Sequence, residues 1–186
     1  MQPAIIVVDM VKDNFLENTR NPITPLARAV LPRVNELTAG ARERGWPVVF
    51  ACDSFLPGDF LFKGKMKECS LRGQPGSQVT DLLDMKPGDV YLPKRRFSAF
   101  FKTDLDQTLR LWSVDTAVVC GIATHFCVLS TAFDALCLDF RAIIVEDASA
   151  SYSAELHQQT LGLFRKNPLY PLFQVLTVEQ VLQPAP

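Results

Sequence analysis

Five apolar residues in a row, Ala4-Ile5-Ile6-Val7-Val8, run from near the start of the chain up to Asp9. A run with no polar alternation has no face to offer to water, so it reads as a strand covered on both sides, the usual condition inside a parallel sheet. Comparable runs recur at Pro47–Cys52, Asp89–Leu92, Thr116–Cys120, Arg141–Val145 and Phe173–Leu176. Helical patterns fall between most of them, over Leu26–Arg44, Gly76–Leu83, Asp104–Trp112, Cys127–Leu138, Ala154–Lys166 and, briefly, Val178–Leu182. This alternation predicts an α/β fold: a three-layer sandwich with a mostly parallel six-stranded sheet and helices on both faces. At 186 residues the chain reads as one domain, 1–186, long enough to bury a sizeable core.

Local signals set the helix ends. Thr103, Ser153 and Thr177 are placed as N-caps, Thr177 and Gln180 match a capping box, and Gly45 stops the first helix. Pro32 lies inside that first pattern and is expected to kink or split it. The exception to the alternation is the stretch from Asp53 to Pro75, with Pro57-Gly58-Asp59 and little periodicity. A loop of that length in a compact domain is usually functional or mobile.

The formal net charge of −1 and the absence of a long basic run argue against a nucleic-acid or anionic-membrane partner. No stretch reaches the roughly 18 apolar residues of a membrane span, and Met1-Gln2-Pro3 leads straight into a core strand. The expectation is a cytoplasmic protein. Its five cysteines, Cys52, Cys69, Cys120, Cys127 and Cys137, form no CxxC pair and are expected to be reduced thiols.

Three of the apolar runs end at, or just before, residues that carry chemistry. Asp9 ends the first, Lys94 follows Asp89-Val90-Tyr91-Leu92-Pro93, and Cys127 comes after Val118-Val119-Cys120-Gly121 and a short loop. In open α/β sheets ligands bind at the carboxyl ends of the strands, so all three are candidates for one site. A cysteine at a helix start has its thiolate favoured by unpaired N–H groups and the helix dipole. A carboxylate can take the thiol proton and return it to a leaving group, and an ammonium can hold both in register. Each also has a plainer reading: a buried small thiol, a turn-capping Asp, a surface Lys.

Taken with their order and spacing, these residues resemble the isochorismatase-like cysteine hydrolases, the superfamily of nicotinamidase, N-carbamoylsarcosine amidase and isochorismatase. The resemblance runs through Val7-Val8-Asp9-Met10 with Phe15 after it, Lys94 to Phe101, and Cys120 to Val128 followed by Thr131-Ala132 and Asp134-Ala135. It implies a Rossmann-like sandwich, a catalytic triad of Asp9, Lys94 and Cys127, and a non-proline cis peptide between Ile122 and Ala123. That peptide would turn the Ala123 N–H toward the same point as the Cys127 N–H to form an oxyanion hole. It also implies a homo-oligomer, dimer or tetramer, with a small-molecule amide as substrate.

Phe15, Phe55, Phe97, Phe100, Phe101 and His125 are candidate pocket residues, since aromatic walls suit a small planar substrate. His125 reads as pocket rim or subunit contact rather than as a base, and His157 as a surface residue. Metal-binding nicotinamidases carry an Asp-x-His pair after the second strand and a later His. Here the first is Asp53-Ser54-Phe55 and the second is Cys69, or Glu68 with the register shifted by one. Asp53 with Cys69 or Glu68 makes only a weak metal site, so no cofactor is expected. The expected activity is hydrolysis of a C–N bond in a small amide or ureido compound through a thioester. The alternatives are an isochorismatase-type hydrolase and a non-catalytic or redox-sensing thiol protein on the same scaffold.

Overall fold

The structure, a computed structural model, describes residues 1–16 and 21–183. Six strands, β1 (Pro3–Val8), β2 (Val48–Asp53), β3 (Val90–Lys94), β4 (Thr116–Ile122), β5 (Arg141–Ala150) and β6 (Phe173–Leu176), form one sheet in the order β3-β2-β1-β4-β5-β6. Every pairing is parallel. The first run explains why: each residue of β1 is buried, with Ile5 and Val7 in one core and Ala4, Ile6 and Val8 in the other. Helices α1 (Ile23–Glu43) and α5 (Val178–Leu182) cover the first face through Leu31, Val34, Val178 and Val181. Helices α2 (Leu105–Leu111), α3 (Leu129–Cys137) and α4 (Ala154–Gly162) cover the second through Leu109, Ala132 and Leu161.

Most helix ends follow their capping residues. Ser153 Oγ accepts from Leu156 N at 3.1 Å, Thr177 and Gln180 form the capping box, and Gly45 takes the left-handed φ of +69° just past α1. At α2 the cap is Asp104 rather than Thr103, although Thr103 Oγ1 still accepts from Leu105 N at 3.3 Å. Pro32 sits inside α1 without splitting it.

Three expectations need correction. Gly76–Leu83 is not a helix; only Pro75–Ser77 makes a 3₁₀ turn. Its backbone is drawn instead into an antiparallel bridge, with Lys12 N donating to Gln78 O and Thr80 N to Met10 O, both at 2.9 Å. The fifth strand continues to Ala150, past an irregularity that lets Gly121 pair with Ser149. Finally, the helix after β4 does not open at Cys127. It opens at Thr124 with a π-helical turn, Thr124–Val128, in which Phe126 N and Val128 N both donate to Ala123 O.

The strand order reverses between β1 and β4, and the carboxyl ends of these two strands flank the crevice in which such sheets bind ligands. Gly121 lets them close: its φ is +107°, and a Cβ there would collide with the backbone of Val8. Gly121→Ala is therefore expected to cost about 3 kcal/mol of stability, from forced φ and overpacking together, as read by urea denaturation. A loss within experimental error of zero would show that β1 and β4 do not approach this closely.

Candidate active site

β2 and β3 pair with Asp53 directly opposite Lys94, and Asp9 stands one residue past the end of β1, beside β2. Asp9 holds a left-handed φ of +54°, a region that Asp tolerates better than most residues. Asn14 Nδ2 anchors that turn by donating to Asp9 O at 2.9 Å. Asp9 Oδ1 then accepts from Asp53 N at 2.8 Å, while Oδ2 accepts from Lys94 Nζ at 2.8 Å.

The Lys94 ammonium is completely buried and uses three acceptors: Asp9 Oδ2, Asp53 Oδ1 at 2.6 Å and the Arg96 carbonyl at 3.1 Å. Burial alone would lower its pKa. The charges of Asp53 and then Asp9 outweigh that and push its pKa well above the usual lysine range. Arg96 is fixed in turn by the buried Asp59 carboxylate, which also accepts two bonds from Arg95. Asp59 thereby ties the long loop after β2 to the exit of β3.

Cys127 is 8% exposed, and its thiol is hydrogen-bonded to the Asp9 carboxylate. Burial, followed by the charge of Asp9, raises the thiol pKa well above its ordinary value against the opposing pull of Lys94. The resting group is thus a neutral thiol donating to a carboxylate, and not the free thiolate expected of a helix start. Asp9 itself is pushed up to about 7, by burial first and then by the neighbouring charge of Asp53. A carboxylate with that proton affinity is matched to carrying a proton at neutral pH. The Ile122–Ala123 peptide, which leads into the turn bearing Cys127, is cis.

The isochorismatase domain model matches residues 3–180. The chain belongs to the isochorismatase family. As a member of that family of hydrolases it is similar to ureidoacrylate amidohydrolase RutB of Pantoea ananatis, 39% identical over 183 residues, covering 85% of this chain and 73% of that one. Among solved structures it is similar to N-carbamoylsarcosine amidase from Thermoplasma acidophilum, with a TM-score of 0.83 at 32% identity over 96% of this chain and 98% of the other. Pyrazinamidase of Pyrococcus horikoshii, in complex with zinc, gives a TM-score of 0.82 at 26% identity over 95% and 99% of the two chains.

The donor set of this isochorismatase-family chain does not fit a metal of that kind. Phe55 has no lone pair to give and is buried edge-on against Phe62, with ring centroids 5.3 Å apart. Asp53 is committed to Lys94, and Glu68 Oε1 accepts from Gly58 N at 2.8 Å. Cys69 is half-buried, its thiol pushed up to about 11 by burial and the nearby Asp53. Among the described residues, Asp9, Asp53 and Cys127 do bring donor atoms within 4.8 Å of one another. Lys94 bonds both carboxylates, so a cation there would face a buried positive charge.

The candidate pocket residues part company. Phe15 lies in the core beneath α1, and Phe100 lies in the opposite core, stacked on Phe140. Phe101 is exposed and carries Lys102 over its ring. Phe97 stacks on Phe126, and His125 packs against both Phe126 and Tyr152. His157 is no free surface residue: its Nδ1 is 2.8 Å from Thr124 Oγ1, at the start of the turn that carries Cys127. Ser151, Tyr152 and His157 carry no motif signal in the sequence; they meet Thr124 and His125 because β5 and α4 close over that turn. A cavity of about 710 Å³ opens elsewhere, between Ser54, Arg72, Thr80 and Tyr91, and Asp9, Lys94 and Cys127 do not line it.

The electrostatics predict a pH profile. If Asp9 must be ionised to take the thiol proton, kcat/KM rises through an apparent pKa of about 7. Asp53→Asn removes a charge that raises Asp9, so its acidic limb is expected to move to lower pH. An unmoved limb in that variant would remove Asp53 from the account.

Proposed function

We propose that this chain is a cysteine amidohydrolase that cleaves a C–N bond in a small amide or ureido compound, with Asp9, Lys94 and Cys127 as its triad. The observation that carries the reading is the buried contact between the Cys127 thiol and a carboxylate whose pKa lies at about 7. Asp9 accepts the thiol proton as sulfur adds to the carbonyl carbon, and the carbonyl oxygen takes the charge. The N–H groups of Ala123 and Cys127 are assigned as its donors. Asp9 passes the proton to the leaving nitrogen, so that ammonia or an amine departs and a thioester remains. Water then adds to the thioester as Asp9 takes its proton, and return of that proton to sulfur releases the acid and restores the thiol.

Lys94 takes no proton in this cycle. It holds Asp9 and Asp53 together and keeps Asp9 from binding its proton too tightly. The names of the relatives support the choice of bond, since ureidoacrylate amidohydrolase and N-carbamoylsarcosine amidase both denote C–N cleavage. The working unit is taken to be a homo-oligomer, an expectation carried over from the family resemblance, and a cytoplasmic one, an expectation carried over from the charge and apolar patterning of the sequence; among the described residues, no helix is long and apolar enough to cross a membrane.

Ammonia release across nicotinamide, pyrazinamide, N-carbamoyl amino acids and biuret tests the reading. At least one is expected to turn over, and Cys127→Ala to lose several orders of magnitude in kcat. An alanine variant that retains activity would sink the nucleophile assignment. Because the chemistry assigned here runs on thiol, carboxylate and backbone donors, activity is expected to survive exhaustive EDTA treatment. Loss of turnover on chelation, reversed by added zinc or iron, would mean that Asp53 has a metal partner after all.

A further inference from the structure

The cavity beside β3 is walled by side chains that no step of the assigned reaction uses. At about 710 Å³ it is large enough for a small organic molecule. Ser54 and Pro93 line it, and each is next in the chain to a member of the buried charge cluster, Asp53 or Lys94. Successive side chains of a strand point to opposite faces of a sheet, so the cavity lies on the α1 side while Lys94 points to the other. Its Leu83 belongs to the core under α1, whereas Cys127 belongs to the opposite core. A molecule held here does not compete with one at Cys127.

The walls are fixed before any ligand arrives. Val79 is bridged to Val11, and the Tyr91 phenol donates to Ser77 O at 3.0 Å. The polar groups that remain are donors. Arg72 Nε donates to Ser54 Oγ at 3.1 Å and Nη2 to Ser54 O at 3.4 Å, but among the described residues no carboxylate pairs with this guanidinium and Nη1 has no acceptor. Ser54 and Thr80 are 1% and 4% exposed. Each hydroxyl accepts one bond, from Arg72 and from Leu82 N respectively, and neither donates to a described residue. A buried hydroxyl is best satisfied when its proton also finds an acceptor, and the cavity is the side from which one can come.

Charge and shape narrow the class. Lys12 and Arg72 bring two positive charges against the one negative charge of Asp81, which pairs with Lys12 at 2.8 Å and is 84% exposed. Tyr91 is the remaining titratable group on the wall, and burial raises its pKa, so it stays neutral. One surplus positive charge matches a monoanion better than a dianion. Val79, Leu83 and Met85 add apolar surface. We propose that this cavity is a second ligand site, distinct from the one at Cys127, for a small carboxylate with an apolar body. Arg72 pairs with the carboxylate, the Ser54 and Thr80 hydroxyls supply further donors, and the hydrocarbon part lies against Val79, Leu83 and Met85. The site does not depend on the reaction assigned to Cys127.

Methionine methyl resonances of the whole, isotope-labelled protein read binding at this place. Met85 lines the cavity and Met66 does not, and each signal is assigned by its loss in Met85→Leu or Met66→Leu. The probes are cyclohexanecarboxylate, cyclohexylmethanol, acetate and inorganic phosphate, at constant ionic strength. Cyclohexanecarboxylate is expected to shift the Met85 signal saturably and to bind about tenfold tighter than the uncharged alcohol, and tighter by at least as much than acetate or phosphate. Arg72→Gln, a change at an exposed side chain, is expected to weaken the acid about tenfold and to leave the alcohol unchanged. Thr80→Val keeps the shape and is expected to weaken the acid about fivefold. Thermal melting confirms that both variants are folded. No saturable shift of Met85, a shift of Met66 in its place, equal affinity for acid and alcohol, phosphate binding as tightly as the acid, or an Arg72→Gln protein that holds the acid as well as the wild type overturns the proposal.

Discussion

One buried ammonium organises the site. Lys94 has no exposed surface, and moving such a group out of water costs several kcal/mol unless its charge and its hydrogens are satisfied. Parallel register supplies the partners. Asp53 is its register mate on the neighbouring strand, and Asp9 emerges from the next strand over. The third acceptor, the Arg96 carbonyl, is fixed because Asp59 clamps the side chains of Arg95 and Arg96. The sheet, the long loop after β2 and the exit of β3 must therefore all be in place before this charge is tolerable.

The same arrangement explains where the protons rest. Two carboxylates share one ammonium, which leaves the pair with a surplus negative charge in a buried place. Burial and that surplus hold Asp9 at about 7 rather than in the normal carboxylate range. For Cys127 desolvation, with the charge of Asp9, wins over Lys94, so the sulfur keeps its proton and offers it to Asp9. Under the proposed mechanism, a nucleophile stored as a neutral thiol beside its own base needs no permanent buried thiolate, and the proton moves only a hydrogen bond's length when substrate arrives.

The strands could be read from sequence because both faces of this sheet are covered, which makes the apolar runs continuous and their ends conspicuous. Asp9, Lys94 and Cys127 were candidates for the same reason: each stands at or just beyond the end of a run. Asp53 was visible only as a metal ligand, because its bond to Lys94 depends on which strands become neighbours. Gly76–Leu83 has helical spacing but spends its backbone on a bridge to Val11. The contacts that brace the turn bearing Cys127, Ser151 with His125 and His157 with Thr124, join residues 26 and 33 positions apart and follow from how β5 and α4 return over the turn. No local pattern encodes a contact of that kind.

The most direct test of the shared ammonium is the pH dependence of what its removal costs. Urea denaturation of the wild type and Lys94→Met at pH 6 and pH 9 gives the two differences. Removing one partner of a buried charge cluster is expected to cost about 3–5 kcal/mol. Lys94 lowers the pKa of Asp9, so without it folded Asp9 holds its proton to higher pH than the wild type, whose midpoint is about 7. The variant's native state then binds more protons only above that midpoint. The account therefore predicts a penalty that is level below pH 7 and widens toward pH 9. A penalty that is the same at both pH values would contradict it, because Lys94 would then be filling space without governing the proton on Asp9.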